Sequence, residues 1–228
     1  MSRILWGITG GGHFLEECIK EIKLLSENVC VDIALSHAGF EVVCMYGLID
    51  PLKDFGNEIF MEGVHGYSSP IVGRLAKKEY KAVVIAPATA NTIAKIVHGI
   101  SDSLITNIVA QALKSKTDVF ILPTDIEKEL ITRLPINIDS KRCINCDDCP
   151  PMQNCTRSAF YRTDRVRIDL LRCNACLNCI EDCKYNAITF GKKVRIYIRD
   201  IDLENTEKLE MVRGIRVFKS PNELKSLY

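Results

Sequence analysis

Eight cysteines gathered between Cys143 and Cys183 constrain this chain more than any other feature. They form two runs, Cys143-Ile-Asn-Cys146-Asp-Asp-Cys149-Pro-Pro-Met-Gln-Asn-Cys155 and Cys173-Asn-Ala-Cys176-Leu-Asn-Cys179-Ile-Glu-Asp-Cys183. Three thiolates at two-residue gaps can wrap three corners of an iron–sulfur cubane, and a more distant cysteine completes the fourth. Structural zinc takes its four ligands as two well-separated pairs, a poor match to triplets. Disulfides belong to oxidising compartments. The opening residues Met1-Ser-Arg-Ile-Leu-Trp-Gly7 lead straight into an apolar stretch, with no charged–apolar–small leader pattern. The spacing therefore predicts two [4Fe–4S] clusters.

The runs resemble the two-cluster bacterial ferredoxins beyond their cysteines. Ile168-Asp-Leu-Leu-Arg172 leads into the second run, and Asn186-Ala-Ile188 follows Cys183, as in that family. There the fourth ligand of each cluster comes from the other run. The resemblance thus implies one cluster on Cys143, Cys146, Cys149 and Cys183, and another on Cys173, Cys176, Cys179 and Cys155. The chain departs from the family at three points. Five residues separate Cys149 from Cys155 where three are usual, Lys184 replaces a proline, and seventeen residues separate the runs.

With 228 residues, 47% of them hydrophobic, the chain has room for one full domain and a small one. A formal charge of +1 gives no reason to expect nucleic acid or an anionic membrane surface as partner. Nothing approaches the roughly eighteen uninterrupted apolar residues of a membrane span. A cytoplasmic protein is expected, and eleven cysteines in a reducing compartment point to metal. The three outside the runs, Cys18, Cys30 and Cys44, sit among apolar residues and are expected to be inert buried thiols.

Residues 4–9 read as a buried strand ending in Thr9-Gly10-Gly11-Gly12, and Phe14, Cys18, Ile22 and Leu25 follow at helical spacing. A strand, a glycine turn and a helix aim backbone N–H groups at an anion. Leu15 occupies the third glycine position of the dinucleotide fingerprint, so NAD has weak support. Residues 29–35 form a second strand that ends at Ser36, whose hydroxyl suits a phosphate. Asp32 lies too early to bind a ribose. The pocket suits a mononucleotide phosphate. Residues 40–46 read as a short helix, and the stretch to Tyr67 shows no regular pattern. Strands at 82–86 and 118–122 enclose helices at 93–97 and 104–113. Thr9, Ser36, Thr89, Asn91 and Thr124 all fall at strand carboxyl ends, where a parallel α/β sheet places its ligands. Beyond Cys183, a strand at 194–199, a helix at 203–212 and a strand at 215–218 resume the α/β pattern. The expected organisation is a host domain of residues 1–138 plus 191–228, with a two-cluster ferredoxin unit inserted at 139–190.

Pro87-Ala-Thr-Ala-Asn-Thr92 and Gly99-Ile-Ser-Asp102 resemble the linked signatures of the homo-oligomeric flavin-containing cysteine decarboxylase family over about residues 3–125. The resemblance implies a Rossmann-like, flavodoxin-type parallel sheet, bound FMN, and trimers whose interfaces complete the flavin site. It places Thr9, Gly10, Gly11, Gly12 and Ser36 on the phosphate. It lays Ala86, Pro87, Ala88, Thr89, Asn91 and Thr92 along the flavin. The decarboxylase substrate motif is absent, since Pro123-Thr-Asp-Ile126 stands in its place. The family's active-site His-Ile pair would fall near Ser68-Ser69-Pro70-Ile71, with His65 nearby. Met45-Tyr-Gly-Leu48, Tyr67-Ser-Ser-Pro-Ile71 and Ile85–Gly99 are similar to the archaeal branch of dihydromethanopterin reductases (acceptor), whose forms with a ferredoxin insertion share this domain order.

That resemblance implies reduction of a dihydropterin at a C=N bond, and assembly of trimers into a larger shell. Clusters carry single electrons, whereas saturating C=N takes two; FMN converts between them. The expected route runs from an external low-potential donor such as a ferredoxin, through the clusters and FMN, to the pterin. No catalytic residue is assigned; His37, His65 and Tyr67 are unranked proton donors. The alternative is an electron-transfer module with a protein acceptor and no substrate of its own. In that reading Arg157, Arg162, Arg165, Arg167 and Arg172 would form a docking face.

Overall fold

A computed structural model describes residues 2–68 and 70–227. Ser69, within the 67–71 segment of the resemblance, lies outside the described residues. The first half alternates strand and helix: β1 (Arg3–Ile8), α1 (Leu15–Ser26), β2 (Cys30–Leu35), α2 (His37–Met45), α3 (Ile49–Phe55), β3 (Ile59–Met61), α4 (Glu62–His65), α5 (Ile71–Ala76), β4 (Ala82–Ala88), α6 (Ala90–Val97), α7 (Leu104–Lys114) and β5 (Asp118–Pro123). The cysteine stretch follows as β6 (Glu129–Arg133), β7 (Asn137–Ile138), α8 (Pro150–Asn154), β8 (Phe160–Arg162), β9 (Val166–Ile168), α9 (Asn178–Asp182), β10 (Ile188–Thr189) and β11 (Lys193–Tyr197). α10 (Asp200–Glu210), β12 (Ile215–Val217) and a 3-10 turn (Pro221–Leu227) close the chain.

Six strands form one sheet in the order β12-β5-β4-β1-β2-β3, and every pairing in it is parallel. All seven residues of β4 are buried, the continuous apolar run of a strand covered on both faces. Alternate residues go to opposite layers. Ile4, Trp6 and Ile8 pack under α1, α2 and α3, while Leu5 joins α5, α6 and α7 on the other side. Gly7 sits between Ile85 and Ile105, where an added Cβ would come within 2.7 Å and 2.9 Å of their Cδ1 atoms. This glycine lets α7 approach the sheet. Strand order reverses between β1 and β4, so their loops diverge and leave a crevice at the carboxyl edge.

The expected parallel α/β sheet is present, with differences in two places. The stretch after α2 holds α3 and the edge strand β3, which pairs with β2 through Ile33–Ile59 and Leu35–Met61. Three residues are too few to show a period in sequence. The strand expected at 194–199 is β11, and it stays outside the main sheet. It pairs antiparallel with β6, from Glu129–Tyr197 to Arg133–Lys193. This ribbon runs into β7 and β10, paired through Ile138–Ile188, and so leads to the cysteine unit. That unit has its own small core of Ile136, Phe160, Val166 and Ile188. Of the three cysteines expected to be buried, Cys18 is, whereas Cys30 and Cys44 are half-buried. Among the described residues no helix is long and apolar enough to cross a membrane.

Candidate functional site

The glycine turn after β1 lies at the crevice. A Cβ on Gly10 would stand 2.7 Å from Ala38 Cβ at the start of α2, and one on Gly11 would stand 2.7 Å from Thr124 Cγ2. Only a bare backbone passes between these neighbours. Among the described residues, the amide N–H groups of Gly10, Gly12 and His13 have no acceptor. Ser36 caps α2 by accepting from Gly39 N at 2.9 Å, which leaves its hydroxyl proton without a partner among the described residues. Free N–H groups and a hydroxyl at adjoining strand ends are the donor set a phosphate takes.

Thr9, expected on the phosphate, turns its donors to β4. It is buried; its Oγ1 donates to Pro87 O at 2.9 Å and accepts from Thr89 N at 2.8 Å, and its amide donates to Pro87 O. Both donors are engaged, so Thr9 fixes the β1–β4 crevice. Ala86, Pro87 and Ala88 are buried too. Trp6 Nε1 donates to Ala86 O at 2.7 Å, and Thr124 N donates to Ala88 O at 2.9 Å. These three form the floor. Thr89 Oγ1 lies 3.3 Å from Thr92 Oγ1 on the first turn of α6, where Asn91 is exposed.

The cysteines fall into two groups. Cys143, Cys146, Cys149 and Cys183 line one cavity. Cys155, Cys173, Cys176 and Cys179 line another. Among the described residues no three His, Cys, Asp or Glu side chains converge closely enough for a single metal ion. Backbone N–H groups already reach two sulfurs at 3.4 Å, Ala159 to Cys155 and Ala175 to Cys173; such bonds tune cluster potentials. Burial pushes the thiols of Cys149 and Cys173 up, and that of Cys179 to about 11.

The two halves of the cysteine unit repeat. Asp139 and Asp169 each stand four residues before a run, and their amides donate at 2.7 Å to Ala187 O and Ala159 O. The carboxylate of each accepts an N–H two residues on, from Lys141 and Leu171. The matching Asp-x-x-Arg-Cys stretches, Asp139–Cys143 and Asp169–Cys173, are the sequence signal for this repeat.

The second run touches the host. Gly47, at φ +71 after α2, lies against Ala175 and Asn174; an added Cβ would be 3.2 Å from Ala175 Cβ. Tyr46 bridges the same junction. Its hydroxyl bonds Arg133 O at the end of β6, its ring meets Phe190 edge-on at 6.1 Å, and it fills the space a Gly12 Cβ would need.

Of the five arginines, Arg162, Arg167 and Arg172 are engaged by local partners. Arg162 donates to Cys146 O at 2.6 Å and Asn145 Oδ1 at 3.1 Å, so it straps the first run in place. Arg167 pairs with Asp164 and Arg172 with Asp169. Among the expected proton donors, His65 accepts from Met61 N through Nδ1, His37 pairs with Glu41, and Tyr67 is exposed.

His13 was not among them. It follows Gly12, packs its ring 3.8 Å from Phe14, and lines a cleft of about 470 Å³ with Phe14, Thr124, Ile126, Glu127 and Leu130. Half-burial holds its pKa below the ordinary histidine value, while Glu17, Asp125 and Glu127 pull the other way.

A model of the family described as Flavoprotein matches residues 1–129. A dihydromethanopterin reductase (acceptor) of Methanosarcina mazei is 44% identical, over all of this chain and 99% of its own length. One from Methanocaldococcus jannaschii is 41% identical over 97% of this chain and 94% of its own. Among solved structures, Burkholderia xenovorans DmrB in complex with FMN, described as a cubic protein cage for redox transfer, superposes with a TM-score of 0.65. It is 26% identical, and the match covers 99% of this chain and 92% of that one. The chain belongs to the flavoprotein family, in the group that includes the dihydromethanopterin reductases (acceptor).

Proposed function

We propose that the protein is an iron–sulfur flavoprotein that reduces dihydromethanopterin, or a related dihydropterin, to the tetrahydropterin. Electrons come from an external low-potential donor such as a ferredoxin. The observation that carries this reading is the joining, in one chain, of two four-thiol rings to a phosphate-ready glycine turn. Full-length likeness to reductases of that name supports it.

The groups would be held as follows. Cys143, Cys146, Cys149 and Cys183 ligate one [4Fe–4S] cluster, and Cys155, Cys173, Cys176 and Cys179 the other. Gly10, Gly12 and Ser36 bind the FMN phosphate, with Thr89, Asn91 and Thr92 beside the flavin. When bound, these groups supply one-electron relay and its conversion to two-electron delivery. The chain's own part is placement. Gly47 brings the second thiol ring against the host at the far end of α2, the helix whose amino end meets the glycine turn. Host residues 1–138 and 191–228 and inserted residues 139–190 are thus two functional halves, in a cytoplasmic protein built of trimers assembled into a larger shell.

The test is made without oxygen. The reduced protein is mixed with dihydropterin while the flavin band near ~450 nm is followed. Rapid reoxidation with formation of tetrahydropterin is expected, with about eight iron atoms per chain. Flavin that stays reduced until a protein acceptor is added would replace the reductase by a relay.

A further inference from the structure

The His13 amide belongs to the glycine turn, whereas its imidazole and the cleft that ring lines have no part in the cofactor contacts above. The cleft opens at the carboxyl edge of the sheet beside the glycine turn, because Thr124 both lines it and touches Gly11. At about 470 Å³ it lies within the range of small-molecule sites, roughly 300–1,000 Å³. Phe14, Ile126 and Leu130 give it apolar walls that suit a flat ring. Phe14 stands at φ +64, a left-handed conformation unusual for a bulky residue, at the turn that brings both rings into the cleft. Glu127 is exposed there and has no lysine or arginine partner among the described residues, whereas neighbouring Glu129 is paired with Arg195 at 3.2 Å.

We infer that this cleft is the dihydropterin subsite, that His13 is the catalytic residue that protonates the substrate, and that Glu127 reads its pyrimidine edge. The inference rests on the reductase reading. A pterin carries an amino group and a ring N–H side by side, a two-donor edge that one carboxylate accepts through both oxygens. Reduction adds a hydride from reduced flavin to the carbon of C=N and a proton to its nitrogen. The His13 imidazolium gives up that proton and becomes neutral imidazole. The C=N bond is reduced to CH–NH, the flavin is oxidised, and the imidazole regains its proton from water at the open side of the cleft.

The groups that face His13 are Glu17 of α1 and Asp125 and Glu127 after β5; Glu129 and Arg195 of the ribbon and Lys219 after β12 share its cleft. Burial lowers the imidazole pKa despite the carboxylates. The rate should therefore fall as pH rises through that lowered value, where the proton is lost.

The test compares wild type, His13→Gln and Glu127→Gln as reduced, FMN-loaded protein. Each is mixed with dihydropterin or with ferricyanide, which takes electrons without protons. His13→Gln should slow the pterin reaction by about 10²–10⁴-fold and lose the alkaline fall, with ferricyanide reaction and FMN content unchanged. Glu127→Gln should raise the half-saturating pterin concentration about tenfold, with little change in limiting rate. Equal slowing with both acceptors, or loss of FMN, would place His13 with the cofactor and overturn the assignment. An active wild type matched by His13→Gln overturns this inference alone. A wild type that leaves dihydropterin unreduced overturns the reductase reading with it.

Discussion

Asp32 is fully buried in the middle of β2, and four groups answer its charge, Arg74 among them at 3.6 Å. Arg3 Nε lies 3.1 Å away, the Tyr80 hydroxyl donates at 2.7 Å, and Asn57 donates at 2.7 Å. Arg74 links the same cluster to Glu58 through paired bonds of 2.9 Å and 3.1 Å. The residue that sequence position excluded as a ribose ligand is a structural anchor between β1, β2 and α5. Removing one partner of a buried pair strands the others, so Asp32→Ala should cost about 3–5 kcal/mol in denaturant unfolding. A loss under about 1 kcal/mol would show that water reaches the site and screens the arginines. Thr9 gives the same lesson. Its position at a strand end was legible, but the direction of its hydroxyl depends on Pro87 and Thr89, nearly eighty residues away.

The stretch expected along the flavin runs into the first turn of α6, and Asp125 from the far side of the crevice faces the Ala90 amide there. Burial, then the nearby Asp202 carboxylate, raise the Asp125 pKa. Asp202 is itself paired with Arg199 at 2.7 Å. A carboxyl with a raised folded-state pKa binds a proton more readily in the native state than in the unfolded chain. Its ionisation therefore lowers stability as pH rises from the ordinary carboxylate value to the raised one, and the deficit is complete above that. Asn keeps the side chain's shape and polarity beside Ala90 without the charge. Asp125→Asn should raise Tm at neutral pH, and the gain should shrink as pH falls through that window. A gain independent of pH, or a lower Tm at neutral pH, would assign the site another role. Helix α2 is the matching element on the other side of β1. Its capped amino end meets the glycine turn and its carboxyl end meets the second thiol ring.

At the scale of the molecule the two halves are stabilised unequally. The host sheet is covered on both faces, and each fully buried side chain such as Leu5, Ile8 or Ile85 contributes about 1.5–3 kcal/mol. The cysteine unit buries only a few apolar residues, chiefly Phe160, Val166 and Ile188 packed with Ile136, and has short two-stranded ladders, too little to hold a fold without a crosslink or metal. Iron chelation under reducing conditions should therefore release amide protection across residues 139–190 while β1 and β4 stay protected in hydrogen exchange. Unchanged protection in 139–190 would mean that metal does not organise the unit. Loss of protection in β1 and β4 would mean that the halves fold as one.

The sequence by itself determined what depends on neighbours along the chain. Continuous apolar runs marked the central strands, three glycines marked the turn, and cysteine triplets marked the small inserted unit's thiol groups, because each states its chemistry within a few residues. The tertiary structure decided what depends on distant partners. The antiparallel match of β6 to β11, the strap from Arg162 to the first run, the Gly47–Ala175 contact and the cleft that gathers His13 with Glu127 each join residues with no common local pattern. A strand's period says which face is apolar and nothing about which strand it will meet. A lone histidine after a glycine turn has no signal until the fold brings carboxylates and an aromatic wall around it.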